Sequence, residues 1–131
     1  MDTPLRILTI DDERMVRYCI RMFLVKRGYE VFEAESGEEG LEMFRDVQPH
    51  VVLCDLRMPG IDGLDVLEEI TKTTPETPVI VVSGTEDLGD AVKALRLGAW
   101  DYLIKPVPDL DVLEHAIEKV MERARLITEN R

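Results

Sequence analysis

The chain has 131 residues, 45% of them hydrophobic, the size and make-up of one compact domain with its own core. Its 27 acidic residues against 16 basic ones give a net charge of −11, the wrong sign for a footprint on nucleic-acid phosphates, so direct binding to DNA or RNA is not expected. Met1-Asp2-Thr3-Pro4 has no basic leader and no run approaches the ~18 apolar residues of a membrane span, which points to a cytoplasmic protein.

Short apolar runs alternate with helical patterns five times. Leu5 to Ile10 reads as the first strand, followed by an amphipathic helix from Arg14 to Lys26 that stops at Gly28. Val31 to Ala34 is the second strand and Gly37 to Arg45 its helix, opened by Ser36 with Glu39 three residues on, the pattern of a capping box. Val51 to Cys54, the third strand, runs into Asp55 and a turn-rich loop with Pro59-Gly60 and Asp62-Gly63 before a helix from Leu64 to Thr71. The fourth unit is Val79 to Val82, then a helix from Leu88 to Leu97 closed by Gly98. Tyr102 to Ile104 is the fifth strand, and a last helix starts near Asp109 and runs almost to the end. Continuous apolar strands separated by helices predict an α/β fold: a parallel five-stranded sheet with helices on both faces, a flavodoxin-like (βα)5 arrangement in order 2-1-3-4-5. Cys19 and Cys54 lie far apart in apolar segments and read as buried, reduced thiols.

In such a sheet a ligand sits beyond the carboxyl ends of the strands, where strand order switches. Asp11 and Asp12 follow the first strand, Asp55 the third, Ser83 and Thr85 the fourth and Lys105 the fifth. Neighbouring strands about 4.8 Å apart would crowd the carboxylates of Asp12 and Asp55, with Asp11 nearby, and a hard divalent cation such as Mg2+ relieves that repulsion. Lys105, roughly 10 Å away on a long stem, supplies one more positive charge. A metal, a lysine, a hydroxyl and a carboxylate nucleophile are the parts that phosphoryl transfer needs. His50 opens the third strand at the opposite edge and His115 lies in the last helix, which disfavours a histidine-based hydrolase.

Along nearly its whole length the chain resembles receiver domains of response regulators. Asp11-Asp12 resembles the family's metal-binding acidic pair. Asp55, within Leu53-Cys54-Asp55-Leu56-Arg57-Met58-Pro59-Gly60, resembles its phosphoacceptor, and Arg57 the position that lends a backbone carbonyl to the metal. Ser83 looks like the switch hydroxyl, Tyr102 the switch aromatic, and Lys105-Pro106 the lysine followed by a usually cis proline. Val107-Pro108 departs from the usual phenylalanine and leaves the start of the last helix open. The resemblance implies Mg2+, with Mn2+ able to substitute, and phosphorylation of Asp55 by a histidine kinase or phosphotransfer protein. It also implies self-dephosphorylation without turnover of an external product, and output to a partner or output domain through the face of the fourth helix, fifth strand and fifth helix, as a monomer or a phosphorylation-linked dimer. Ser83-Gly84-Thr85-Glu86 and Lys93 to Gly98 look like receivers of sigma-factor-delivering proteolysis adaptors and their relatives with phosphatase-like output domains.

Singly, each of these residues has a plainer role: Asp11, Asp12 and Glu13 in capping the first helix, Asp55 in opening a turn, Ser83 in satisfying a loop amide, Lys105 in solvent. Their joint arrival at one edge of the sheet is what the plainer roles leave unexplained. A metal-dependent phosphohydrolase would share the aspartate, metal and lysine, but no insertion long enough to enclose a substrate is present. A flavin module would meet an acidic edge that repels phosphate. Residues 1–121 are assigned to the receiver and 122–131 to an extension of the last helix, either a solvated tail or a linker to an output domain. Trp100, before the fifth strand, serves as packing or as part of a partner interface.

Overall fold

The computed structural model describes residues 3–84, 88–105 and 109–129. Five strands alternate with five helices: β1 (Arg6–Ile10), α1 (Arg14–Lys26), β2 (Glu30–Ala34), α2 (Gly37–Val47), β3 (Val51–Cys54), α3 (Gly63–Thr73), β4 (Val79–Ser83), α4 (Leu88–Arg96), β5 (Asp101–Ile104) and α5 (Leu110–Glu129). All strand pairs are parallel, in the order β2-β1-β3-β4-β5. The predicted architecture stands.

Alternation along the strands feeds two cores. Leu8, Val52 and Val81 face one side with Val66, Leu67 and Ile70 of α3, Phe44 of α2 and Ala94 of α4. Ile7, Val51 and Ile80 face the other with Ile20 and Leu24 of α1 and Leu113, Ile117 and Val120 of α5. Right-handed crossovers dictate this division. The step from β1 to β2 moves one way across the sheet and the later steps move the other way, so α1 lies on the opposite face from α2, α3 and α4.

Element boundaries follow local chemistry. Gly28 at φ +93° and Gly98 at φ +114° adopt the left-handed geometry that ends helices. The Ser36 side chain accepts from the Glu39 amide at 3.1 Å, the cap foreseen for α2. α2 continues past Arg45 to Val47, where Gln48 in a left-handed conformation returns its amide to the Phe44 carbonyl. β4 takes in Ser83 as its last residue. Cys54 is buried as foreseen, but Cys19 is exposed, a correction to the predicted burial. α1 turns Ile20 and Leu24 inward, and the helical period carries Cys19 away from that face. Among the described residues no helix is long and apolar enough to cross a membrane.

Candidate functional site at the carboxyl edge of the sheet

Ile10 and Cys54, the last residues of β1 and β3, are partners across the two strands. The next residues, Asp11 and Asp55, therefore emerge side by side. Their backbones are pinned: the Asp11 amide donates to the Ala34 carbonyl and the Asp55 amide to the Ile10 carbonyl, both at 3.0 Å. Asp11 and Asp55 are only 3% and 4% exposed, which is rare for carboxylates and demands compensating charge. Register thus gives Asp11 the place opposite Asp55 on the backbone, while the expected crowding of Asp12 with Asp55 also holds. Asp12 and Glu13 follow at the surface, and Asp11, Asp12, Glu13 and Asp55 each offer an oxygen within 4.8 Å of the others.

Lys105 supplies the compensating charge. Its amide donates to the Ser83 carbonyl at 2.8 Å, which extends the β4–β5 pairing by one residue and aims the side chain back across the sheet. The ammonium lies 2.7 Å from Asp11 Oδ2, 3.0 Å from Glu13 Oε1 and 3.1 Å from Asp55 Oδ2. Burial raises the Asp11 pKa, with the Asp55 charge adding to it and Lys105 and the Glu13 amide opposing. For Lys105 burial pulls the other way, yet hydrogen bonds to Asp11 and Glu13 and the nearby carboxylate charges outweigh it and leave its pKa raised. Among the described residues the Lys105 ammonium meets three of the four clustered carboxylates. An oxygen-only donor set with this surplus of negative charge fits a hard divalent cation such as Mg2+ or Mn2+.

The remaining predicted residues fall in two places. Ser83 is fully buried at the end of β4 close to the Tyr102 phenol, whose ring packs partly buried against the α2–α4 core. Burial raises the phenol pKa while the nearby Ser83 hydroxyl lowers it. Arg57 donates its amide to Asp55 Oδ1 at 3.3 Å and pairs its guanidinium with Asp90 of α4. Trp100 is elsewhere: its amide donates to the carbonyl of Val79, the first residue of β4, so it stands at the edge of the sheet opposite Asp55. His50 Nδ1 accepts from the Arg6 amide at that same far edge, and His115 is exposed on α5. Thr85 and Pro106 lie outside the described residues.

Two residues at the site carry contacts that sequence reasoning did not assign. Glu13, given only a capping role, reaches Lys105 instead. Arg17, nearly buried, donates to the Asp11 carbonyl at 2.6 Å and lies 3.4 Å from Glu33 of β2, which ties the acidic loop to the neighbouring strand. Charge alternation in Glu33 and Glu35 was the signal available for Arg17, but it becomes specific only once α1 lies over β2.

Residues 7–118 match the family described as response regulator receiver domain. The chain belongs to that family. As a receiver it is a phosphoacceptor signalling domain of the two-component type. It is 40% identical over 117 residues to Regulatory protein AtoC of Escherichia coli (strain K12), covering 89% of this receiver and 25% of that protein. It is 38% identical over 112 residues to Regulator of RpoS from the same organism, covering 86% and 33%. The receiver thus spans a third or less of these relatives. Among solved structures it resembles NtrX from Brucella abortus in complex with ADP, with a TM-score of 0.91 and 34% identity over 97% of this chain and 29% of that one. A receiver domain protein from Clostridium thermocellum covers nearly like for like, with a TM-score of 0.88 and 39% identity over 94% and 98%.

Proposed function

We propose that Asp55 is the residue that takes the phosphoryl group, with Asp11, Asp12, Asp55 and the Arg57 carbonyl holding Mg2+ or Mn2+ and with Lys105 and Ser83 receiving the phosphoryl oxygens. The observation that carries this reading is the Lys105 ammonium bound at once to the two buried carboxylates, Asp11 and Asp55. An Asp55 oxygen attacks phosphorus of a phosphohistidine on a kinase or phosphotransfer protein, the P–N bond breaks, and the imidazole nitrogen keeps the electron pair and takes a proton from solvent. The product is an acyl phosphate, later released by water. A bound cation would screen the incoming anion from Asp11 and Asp12, while Lys105 follows the new oxygens.

The new charge and acceptor oxygens then draw on Ser83. Ser83 lies close to the Tyr102 phenol, so its movement changes the surroundings of that ring, and Tyr102 transmits the change to the face of α4, β5 and α5, where an output domain or partner protein reads it. The switch is assigned to residues 1–121, the segment 122–131 is read as a C-terminal extension that serves as a linker, and Trp100 belongs to the surface met by a partner. The cytoplasm is the proposed location. Similarity to Regulator of RpoS is matched by that to AtoC, so the narrower resemblance to sigma-factor adaptors gains no separate support.

The test is intact mass after incubation with acetyl phosphate and Mg2+. A single phosphoryl adduct is expected in the wild type, none in Asp55→Asn and none when the cation is chelated. An equal adduct in Asp55→Asn would place the chemistry on another residue.

A further inference from the structure

The Lys105 ammonium is shared three ways, and its third partner is unlike the other two. Asp11 and Asp55 are buried and fixed by strand register, whereas the Glu13 side chain is 61% exposed. Glu13 occupies the N-cap position of α1 at φ −90° and ψ 109°, the backbone geometry of a capping residue, yet makes no side-chain cap. Its carboxylate is spent on Lys105 at 3.0 Å. Nothing in the helix start calls for this contact.

We infer that Glu13 is a positioning residue that acts through Lys105: it draws the ammonium partly off Asp11 and Asp55 and so leaves those carboxylates open to the divalent cation. This rests on the reading of the site as a cation-dependent phosphoacceptor and names the residue that sets how readily it loads. Without Glu13 the same ammonium leans wholly on Asp11 and Asp55, at 2.7 and 3.1 Å, and competes with the cation for their oxygens. Glu13 also adds negative charge near the cation, and the two effects predict different couplings. Loss of field acts whether or not Lys105 is present; loss of the contact acts only through it.

The experiment is a double-mutant cycle on Mg2+ affinity by calorimetry in unphosphorylated protein: wild type, Glu13→Gln, Lys105→Met and the pair, with Lys105→Gln as a second background that keeps a donor for the buried carboxylates. Glu13→Gln is expected to weaken Mg2+ about three- to tenfold in the wild type and less than about twofold in either lysine variant. In acetyl phosphate kinetics it should raise the Mg2+ concentration for half-maximal rate and leave the maximal rate within about twofold. Equal weakening in all backgrounds, or none in the wild type, overturns the role of Glu13. Absence of Mg2+ binding to the wild type would instead overturn the reading of the site.

Discussion

At the scale of single residues, the site is held at a cost that its charges reveal. Burial raises the Asp11 pKa, so the fold favours its protonated form more than the unfolded chain does. The stability that Asp11 contributes is therefore complete below its ordinary value of 3.8 and is lost as pH rises through the raised one. At neutral pH burial weighs against ionised Asp11, and Asp11→Asn, which keeps an acceptor for the Glu13 amide, should raise the melting temperature in cation-free buffer by about 2–6 °C. The same variant should lose the stabilisation that Mg2+ gives the wild type, about 2.7 kcal/mol at a hundredfold excess over its dissociation constant. Paired thermal melts with and without Mg2+ check both; a mutant that melts lower without cation would contradict the account. Lys105→Ala should still bind the divalent cation yet give a much reduced conformational response to phosphorylation, because it removes the ammonium aimed at the new group and leaves the carboxylates. Amide exchange in α4 and β5 with beryllofluoride, a phosphoryl mimic, reads that response.

Elements set where these residues stand, and some do so through contacts too tight to alter. Gly63, the first residue of α3, lies directly against the backbone of Asp55 and Leu56, and a methyl group there would run into the Asp55 carbonyl oxygen. Gly63→Ala should destabilise the domain by about 3 kcal/mol and slow phosphorylation with it, since the colliding backbone carries the phosphoacceptor. Urea titration and acetyl phosphate kinetics on one preparation would show whether the two losses travel together. α5 provides a contrast along one helix. Ile117 is fully buried against β-sheet residues of the α1–α5 core while Ile127 is 42% exposed. Ile117→Ala should cost about 2–5 kcal/mol and Ile127→Ala less than about 1 kcal/mol in the same titration.

Across the whole molecule, chemistry and extension lie at opposite ends of the sheet. α5 starts near the carboxyl edge and runs back toward the far edge, where the Arg123 guanidinium lies 5.1 Å from the Trp100 ring centroid. Ala124, Ile127 and Thr128 then line a small cleft with Pro75, Glu76 and Trp100. The start of the extension is therefore packed on the domain and not a wholly solvated tail. Removing residues 122–131 should shift Trp100 emission to the red and leave the yield of phosphoryl adduct within about twofold, because among the described residues no contact of Asp55 or Lys105 involves that segment. Unchanged emission would show that the packing of α5 on Trp100 is not populated in solution.

The order of elements, the parallel sheet and the edge at which Asp11, Asp55, Ser83 and Lys105 gather are legible along the chain alone. Those follow from patterns that are local: apolar runs, helix stops at Gly28 and Gly98, and the cap at Ser36. Which carboxylate faces which is settled by strand pairing in the closed sheet. Pairing of Ile10 with Cys54 put Asp11 against Asp55, and a one-residue difference along a strand is invisible to composition because it depends on the partner strand. The same holds for the exposure of Cys19, the grip of Arg17 on the Asp11 carbonyl, the diversion of Glu13 from its cap to Lys105 and the seat of Trp100 beneath α5. Each is a contact between elements distant in the chain or a choice of helix face, and its energy exists only after the sheet and its helices have closed on one another.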